Sequence, residues 1–332
     1  MTIKKALITG IAGQDGAFLS KLLIEKNYKV YGIARSKGKN NLWRLEKLKI
    51  KKKIKLIKIN LSNFKDVLKL IKRVKFNEIY NLASSSSVAE SFSEPRKYLI
   101  NNSEIVINIL ESIRIVSNKT KFFQVSSSEM YGNNFQKQVE LKSNPNPINP
   151  YAVSKLNCQN ITQIYRLNYN IFTVCGICFN HESSLRDEKY VSKKIVSFFK
   201  NLNSGNNSKL TIGNILKKRD WGSPIDYVNA FWLSLQQKKP QDYIICTGQF
   251  YSIKKFIEMA SDFVNIKIRW KGKYPNLIGY DQNHNKLIQC TKKFERKFDT
   301  KGFTGNYKLT KKKLKWKVKY NIKDIIREMF EK

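Results

Sequence analysis

Short apolar runs alternate with amphipathic stretches through the first half of the chain. Residues 6–9, 29–34, 54–59, 78–83 and 121–125 read as strands, and residues 16–26 as a helix. Each run is followed by a helical or loop segment. Strand–helix alternation at this spacing predicts an α/β fold built on a doubly wound parallel sheet. The second half is less regular, with Asn, Gly and Lys gathered in loops such as 201–209. It suits a smaller C-terminal substrate domain. We place the division at 1–175 and 176–332, with later segments expected to return to the first domain. The chain has 332 residues, enough for one large core or two units sharing an interface. No run of about 18 apolar residues occurs, so a membrane-spanning helix is not expected. The first apolar stretch runs into a glycine turn rather than a cleavage site, which reads as cytoplasmic.

That turn is the first chemical signal. Thr9-Gly-Ile-Ala-Gly-Gln-Asp-Gly16 follows the first strand and opens the first helix. Gly10 would permit a tight turn, Gly13 a close backbone approach to a pyrophosphate, and Gly16 close helix–strand packing. Phosphates would then meet free N–H groups, including those of Gln14 and Asp15, at the positive end of the helix. The second strand ends at Ala34-Arg35. An acidic residue there would bind a ribose 2′-hydroxyl, whereas an arginine suits the 2′-phosphate of NADP. By position, Asn60 and Leu61 would face the adenine. Leu82, Ala83, Ser84 and Ser86 would line the diphosphate and nicotinamide ribose.

The second signal is a pair of polar clusters further along. Tyr151-Ala-Val-Ser-Lys155 places a phenol and an ammonium on one helix face. The ammonium is expected to favour the phenolate. Tyr151 could then take a hydroxyl proton while hydride leaves the same carbon, with Lys155 on the nicotinamide ribose. Upstream, Ser126-Ser-Ser-Glu-Met-Tyr-Gly132 follows the fifth strand. Ser127 can hydrogen-bond the substrate oxygen. Glu129 adds a carboxylate that a simple dehydrogenase does not need. Beside an oxidised sugar it could take the proton alpha to the new ketone and permit loss of water.

Composition modifies this picture at two points. The chain carries 63 Lys and Arg against 25 Asp and Glu, a formal net charge of +38. Nucleic-acid binding is one reading of that excess. The lysines are scattered, their runs are short, and no nucleic-acid-binding motif accompanies them. We read them as a lysine-rich surface with no specific nucleic-acid partner. The five cysteines include Cys175-Gly-Ile-Cys178, which has redox or zinc spacing. It lies in an apolar run that reads as a buried strand, and no second pair follows. Free core thiols and no metal are expected.

Taken together, these segments resemble the GDP-mannose 4,6-dehydratase family. The resemblance runs through nearly the whole chain and is strongest in residues 9–16, 78–84, 126–132, 149–155, 179–183, 218–222 and 240–248. It implies a Rossmann-type, extended short-chain dehydrogenase fold and a catalytic set of Ser127, Glu129, Tyr151 and Lys155. By the same matching His181 and Arg186 are implied as cofactor contacts. Asn180, Lys194, Arg219 and Arg296 are implied as substrate contacts, the cations on a GDP-sugar diphosphate. A homo-oligomer, dimer or tetramer, is also implied. The chain departs from the family pattern at Ser127 (usually threonine), Ser36 (a second arginine), Asn60 (aspartate) and Ser87 (histidine). A cofactor-lining tyrosine aligns with Lys97, with Tyr98 beside it. The rival readings are an epimerase or 4-ketoreductase on the same fold, and a catalytically silent basic nucleotide- or nucleic-acid-binding protein.

Overall fold

The computed structural model describes residues 3–34, 42–133, 138–206, 208–295 and 302–331. Its centre is a seven-stranded parallel sheet. In chain order the elements that build it are β1 (Lys5–Thr9), α1 (Gln14–Glu25), β2 (Lys29–Ile33), β3 (Lys55–Ile57), α2 (Phe64–Val74), β4 (Glu78–Asn81), α3 (Pro95–Val116), β5 (Lys121–Ser127), α4 (Pro150–Tyr169), β6 (Thr173–Cys178), α5 (Pro224–Leu235) and β7 (Tyr243–Ile245). The strand order is β7-β6-β5-β4-β1-β2-β3. Strand order therefore reverses between β1 and β4, which opens a crevice at the C-terminal strand ends.

Alternate residues of each strand feed two cores. Ala6, Ile8, Tyr80, Phe123 and Val174 pack against α1 and α5. Leu7, Ile79 and Phe122 pack against Val67, Val106 and Ile109 on the other face. Burial on both faces explains why the strands read as apolar runs rather than as alternating ones.

The second half forms its own core around Ile195, Phe199, Trp221, Phe256, Ile288 and Ile326. A small sheet of Leu210–Ile212, Arg269–Lys271, Ile278–Tyr280 and Lys286–Cys290 lies in this part. A division between 175 and 176 falls inside β6, because Thr173–Cys178 is one continuous strand paired with β5. The chain then returns to the large sheet, since β7 pairs with β6. The Arg166–Asp242 ion pair fastens that return to α4.

Cys175 and Cys178 both lie in β6, and all five cysteines are buried and free. Residues three apart on a strand face opposite sides, so the pair cannot close on one ion or one disulfide. Among the described residues no group of His, Cys, Asp or Glu could hold a metal.

Candidate active site

Backbone geometry builds the turn after β1. Gly10 has φ +67, and a Cβ there would stand 2.8 Å from the Ala83 nitrogen. A Cβ on Gly16 would stand 2.6 Å from the Gly10 oxygen. Only glycine lets β1, β4 and α1 meet this closely. Gly13 is the N-cap of α1 and has no side chain to cover the first amides. Those donors stay open to an anion.

Gln14 and Asp15 turn out to hold the second half of the chain. Gln14 donates to the His181 carbonyl (3.1 Å) and accepts from the Ser183 hydroxyl (2.7 Å). His181 Nε2 lies 2.9 Å from both Asp15 oxygens, and its Nδ1 lies 2.7 Å from the Phe179 carbonyl. Two acceptors facing both ring nitrogens call for an imidazolium. Burial opposes the charge on each partner, yet the pairing outweighs it. Asp15 is held below its ordinary value and His181 above its own. The depressed Asp15 contributes stability above about pH 3.8 that is lost as pH falls through its folded value. The raised His181 contributes stability below pH 6.5 that is lost as pH rises through its folded value. Hence His181→Gln is expected to cost about 1.5–3 kcal/mol near pH 6. The deficit should shrink towards pH 9. Urea unfolding of both proteins across that range checks this, and a pH-independent deficit would contradict the pair.

Arg186 lies in the same corner. Its guanidinium stacks on Tyr190 at 3.6 Å from the ring centroid. Its Nε is 3.0 Å from Glu182 but makes no aligned hydrogen bond. Burial works against the cation, and Glu182 beside it restores the charge. A buried guanidinium N–H without an aligned acceptor beside an open helix start fits an anionic ligand.

The reaction group gathers at the ends of β5 and α4. Asn149 caps α4 by accepting from the Ala152 amide (2.8 Å), with Pro150 in the first turn. The cap fixes Tyr151 and Lys155 on the face towards the crevice. Lys155 is 2% exposed. It donates to the Ser84 hydroxyl (3.1 Å) and the Val125 carbonyl (3.2 Å). The Ser127 hydroxyl accepts from the Glu129 amide (3.3 Å) and stands beside the Tyr151 phenol. The Asn149 amide donates to the Glu129 carboxylate (3.4 Å). Ser127, Glu129, Tyr151 and Lys155 thus meet in one place.

The electrostatics differ from the sequence expectation. Burial pushes the Tyr151 phenol well above its ordinary range, and the Ser127 hydrogen bond only partly offsets this. Lys155 is itself pushed down by burial. Its ammonium sits 5.6 Å from the Tyr151 ring centroid, directed to Ser84 and Val125. In this state desolvation wins over the lysine's charge.

The remaining residues divide. Leu61 is buried, its carbonyl accepting from Asn108 (2.9 Å), and Asn60 closes the turn by accepting from the Ser62 amide (3.1 Å). The Ala83 amide donates to Thr9 Oγ1 (3.1 Å), and Ser86 faces the Tyr190 hydroxyl at 3.4 Å. Asn180 precedes His181 in a short strand paired with Trp221 and Gly222. Lys194 donates to the Thr211 carbonyl (2.8 Å), and Arg219 to the Lys218 carbonyl (2.9 Å). These three belong to the second half, whose chain meets the turn through His181. Arg35, Ser36 and Arg296 lie outside the described residues.

Tyr98, noted in the sequence beside Lys97, stands at the site, and Arg44 and Tyr190 add to it beyond the sequence reading. Tyr98 is 1% exposed and stands edge-on to Tyr151 at 6.4 Å, whereas Lys97 points out to Glu94. The Tyr98 hydroxyl accepts from the Ser87 amide (3.2 Å). Arg44 donates to the Ala12 and Leu185 carbonyls (3.2 and 2.7 Å), joining the glycine turn to the 183–190 segment. Tyr190 closes the same gap from above through Arg186 and Ser86. A buried tyrosine one helical turn after Pro95 was a usable signal for Tyr98. Arg44 and Tyr190 carried none.

The sequence matches the family profile described as GDP-mannose 4,6 dehydratase over residues 7–329. The chain belongs to the GDP-mannose 4,6-dehydratase family. It is 37% identical to the GDP-mannose 4,6-dehydratase of Yersinia enterocolitica, over 82% of this chain and 75% of that protein. It is also 37% identical to the Homo sapiens GDP-mannose 4,6 dehydratase, over 82% of this chain and 76% of that protein. Solved structures share the fold at lower identity. UDP-glucuronic acid 4-epimerase from Bacillus cereus, in complex with UDP-glucuronic acid and NAD, superposes with a TM-score of 0.82 at 20% identity, covering 98% of both chains. RMD from Pseudomonas aeruginosa, complexed with NADPH, gives 0.76 at 19% identity over 99% and 98%. The Rossmann-type, extended short-chain dehydrogenase architecture expected of a GDP-mannose 4,6-dehydratase family member is therefore the one observed.

Proposed function

We propose that this protein is a hydro-lyase that converts GDP-mannose to GDP-4-keto-6-deoxymannose and water, using NADP as a resident hydride carrier. The observation that carries the proposal is Glu129. It lies two residues after Ser127, whose hydroxyl accepts from its amide, and its carboxylate is held by Asn149, the cap of the helix that bears Tyr151 and Lys155. Epimerase or ketoreductase chemistry has no use for a second base there. A silent binder has no use for the whole set.

The glycine cradle and the unsatisfied Arg186 Nε fit a dinucleotide diphosphate. Thr9, Gly10, Gly13, Gln14 and Gly16 would form its floor, with Asp15 acting through His181. Asn60 and Leu61 would face the adenine. Leu82, Ala83, Ser84, Ser86 and Lys155 would line the nicotinamide end. When bound, NADP would supply a hydride acceptor at C4 and the same hydride for C6, so that C4 ends oxidised, C6 reduced and the cofactor unchanged. Tyr151 takes the C4 hydroxyl proton, with Ser127 hydrogen-bonded to the same oxygen. Glu129 takes the proton from C5 once C4 is a ketone. Water leaves C6 with a proton from Glu129 or Ser127, and C5 regains a proton from solvent as C6 is reduced, balanced by the proton that Tyr151 gives back. Asn180, Lys194, Arg219 and Arg296 would hold the GDP-sugar. Purified protein given GDP-mannose and NADP should yield a product lighter by one water with no net NADPH change. Net consumption of NADPH would identify a reductase instead.

NADP, rather than NAD, rests on Arg35. Arg35→Ala is expected to weaken NADP by about 1.5–3 kcal/mol, roughly ten- to a hundredfold in Kd, and to leave NAD little changed. Calorimetric titration of both cofactors decides it. Equal wild-type affinity for NAD and NADP would refute the assignment.

We also place the protein in the cytoplasm as a homo-oligomer. Five buried, unpaired cysteines suit a reducing compartment. Among the described residues no helix is long and apolar enough to cross a membrane. Ile100, Ile107 and Ile115 on α3 and Ile164 and Leu167 on α4 are exposed on two helices packed together. That apolar face suits a second copy of the chain. The lysines are a solvated surface in this reading, without a sequence-selective nucleic-acid partner.

A further inference from the structure

Three polar side chains interrupt the centre of the large sheet. Thr9, Asn81 and Gln124 sit at one level of β1, β4 and β5, each the register partner of the next. They are 0%, 1% and 2% exposed. Buried parallel strands are ordinarily filled by apolar residues at such positions. Here the three form a continuous line of hydrogen bonds. The Ala83 amide donates to Thr9 Oγ1 (3.1 Å), and Thr9 Oγ1 donates to Asn81 Oδ1 (2.6 Å). Asn81 Nδ2 donates to Gln124 Oε1 (2.8 Å), and Gln124 Nε2 donates to the Val125 carbonyl (2.8 Å).

The direction of this line is fixed at both ends. A backbone N–H can only donate and a carbonyl can only accept. Turning either amide over would set donor against donor or acceptor against acceptor. The line therefore has one arrangement, and a network with every member satisfied rigidifies its surroundings. Its ends are not arbitrary. One is Ala83, in the segment that lines the cofactor crevice. The other is the Val125 carbonyl, which also receives the Lys155 ammonium at 3.2 Å. Lys155 takes its second contact from Ser84, the neighbour of Ala83. The ammonium is thus held between the two ends of one rigid line.

We propose that Gln124 is a positioning residue for the dehydratase reaction. Acting through the Val125 carbonyl, and through Asn81 and Thr9 to Ala83, it sets where Lys155 stands relative to the cofactor-lining segment and Tyr151. It touches neither substrate nor cofactor. The inference rests on the dehydratase reading of the same site.

Two substitutions test it. Gln124→Met keeps the length and removes both polar ends. Gln124→Glu keeps the acceptor for Asn81 but turns a carboxylate towards the Val125 carbonyl. The groups around the Tyr151 phenol are Ser127 at the end of β5, Glu129 after it, Tyr98 on α3, Cys178 on β6, Arg186 and Tyr190 from the second half, and Lys155 on its own helix. Those around Lys155 are Cys158, Cys175, Cys178 and Asp15. A new carboxylate among them disfavours the phenolate. Gln124→Met is expected to lower kcat at least tenfold while KM for GDP-mannose changes less than twofold. Gln124→Glu is expected to move the acid limb of the kcat–pH profile to higher pH by about one unit. A role in stability alone would move neither KM-independent kcat nor the pH midpoint of the folded enzyme. Melting is read first, and a variant that melts below the assay temperature counts against the proposal, because the line would then serve the fold. A kcat within twofold of wild type in Gln124→Met, or an unmoved midpoint in Gln124→Glu, would overturn it. Wild type is assayed alongside. If it leaves GDP-mannose unchanged, the dehydratase reading fails. If it turns over and the variants match it, only the positioning role fails.

Discussion

Glu129→Gln is expected to stop elimination while leaving the first oxidation intact. The substitution keeps the shape of the side chain and the reach of Asn149, whose amide now donates to the carboxylate at 3.4 Å. It removes the base. Loss of a positioned general base costs typically 10²–10⁴ in rate, about 3–5 kcal/mol at 1.36 kcal/mol per decade. Binding of NADP and GDP-mannose should change little, because the groups that would hold them lie on other segments. Two measurements follow. In deuterated water the wild type should incorporate deuterium at C5 and the variant should not. With enzyme and cofactor in stoichiometric amounts, the variant should still show reduced nicotinamide absorbance on adding GDP-mannose. Near-normal turnover would remove Glu129 from its role.

Tyr151→Phe is expected to fail one step earlier. Burial holds the phenol strongly protonated, with Ser127 beside it as the one group that lowers it. Ionisation therefore has to be drawn out by what binds beside it. Turnover should climb with pH through the neutral and mildly alkaline range for that reason. Removing the hydroxyl leaves no acceptor for the C4 proton, and a loss of about 10³-fold or more is expected. Unlike Glu129→Gln, this variant should give no reduced nicotinamide signal even at stoichiometric enzyme. The pair of substitutions thus separates the two halves of the cycle by one absorbance reading. A Tyr151→Phe enzyme that still reduces its cofactor would reassign the base.

Much of this was legible from the chain because the relevant signals are local. Strands buried on both faces announce themselves as apolar runs, and a glycine turn between a strand and a helix has few other uses. The four candidate catalytic residues lie in two short segments, each fixed by a strand end or a helix cap. What escaped the reading is long-range. His181 and Asp15 are far apart in sequence, and nothing local says that they pair as ions. Arg44 joins the glycine turn to residue 185 through carbonyls, which leave no mark in side-chain pattern. Asn81 and Gln124 look like flaws in otherwise apolar strands until their register is known. Family matching set Lys97 at a tyrosine position with Tyr98 beside it, and only the buried face of the helix distinguishes the two. The ammonium's effect on Tyr151 was overrated because sequence shows proximity and hides desolvation.

The return of the chain to the sheet has a consequence for how the protein is made. β7 pairs with β6 only after the whole intervening stretch has been synthesised, and Asp242 reaches Arg166 at the same moment. At roughly 5–20 residues per second, several seconds separate the emergence of these two partners from the ribosome. Throughout that interval β6 is an open edge, and the far end of the helix bearing Tyr151 and Lys155 lacks its anchor. An unpaired, largely apolar strand edge is prone to join the wrong neighbour. The nascent chain thus carries an open, largely apolar strand edge beside its candidate catalytic residues, and Thr173–Cys178 is the segment a ribosome-associated chaperone would have to shield.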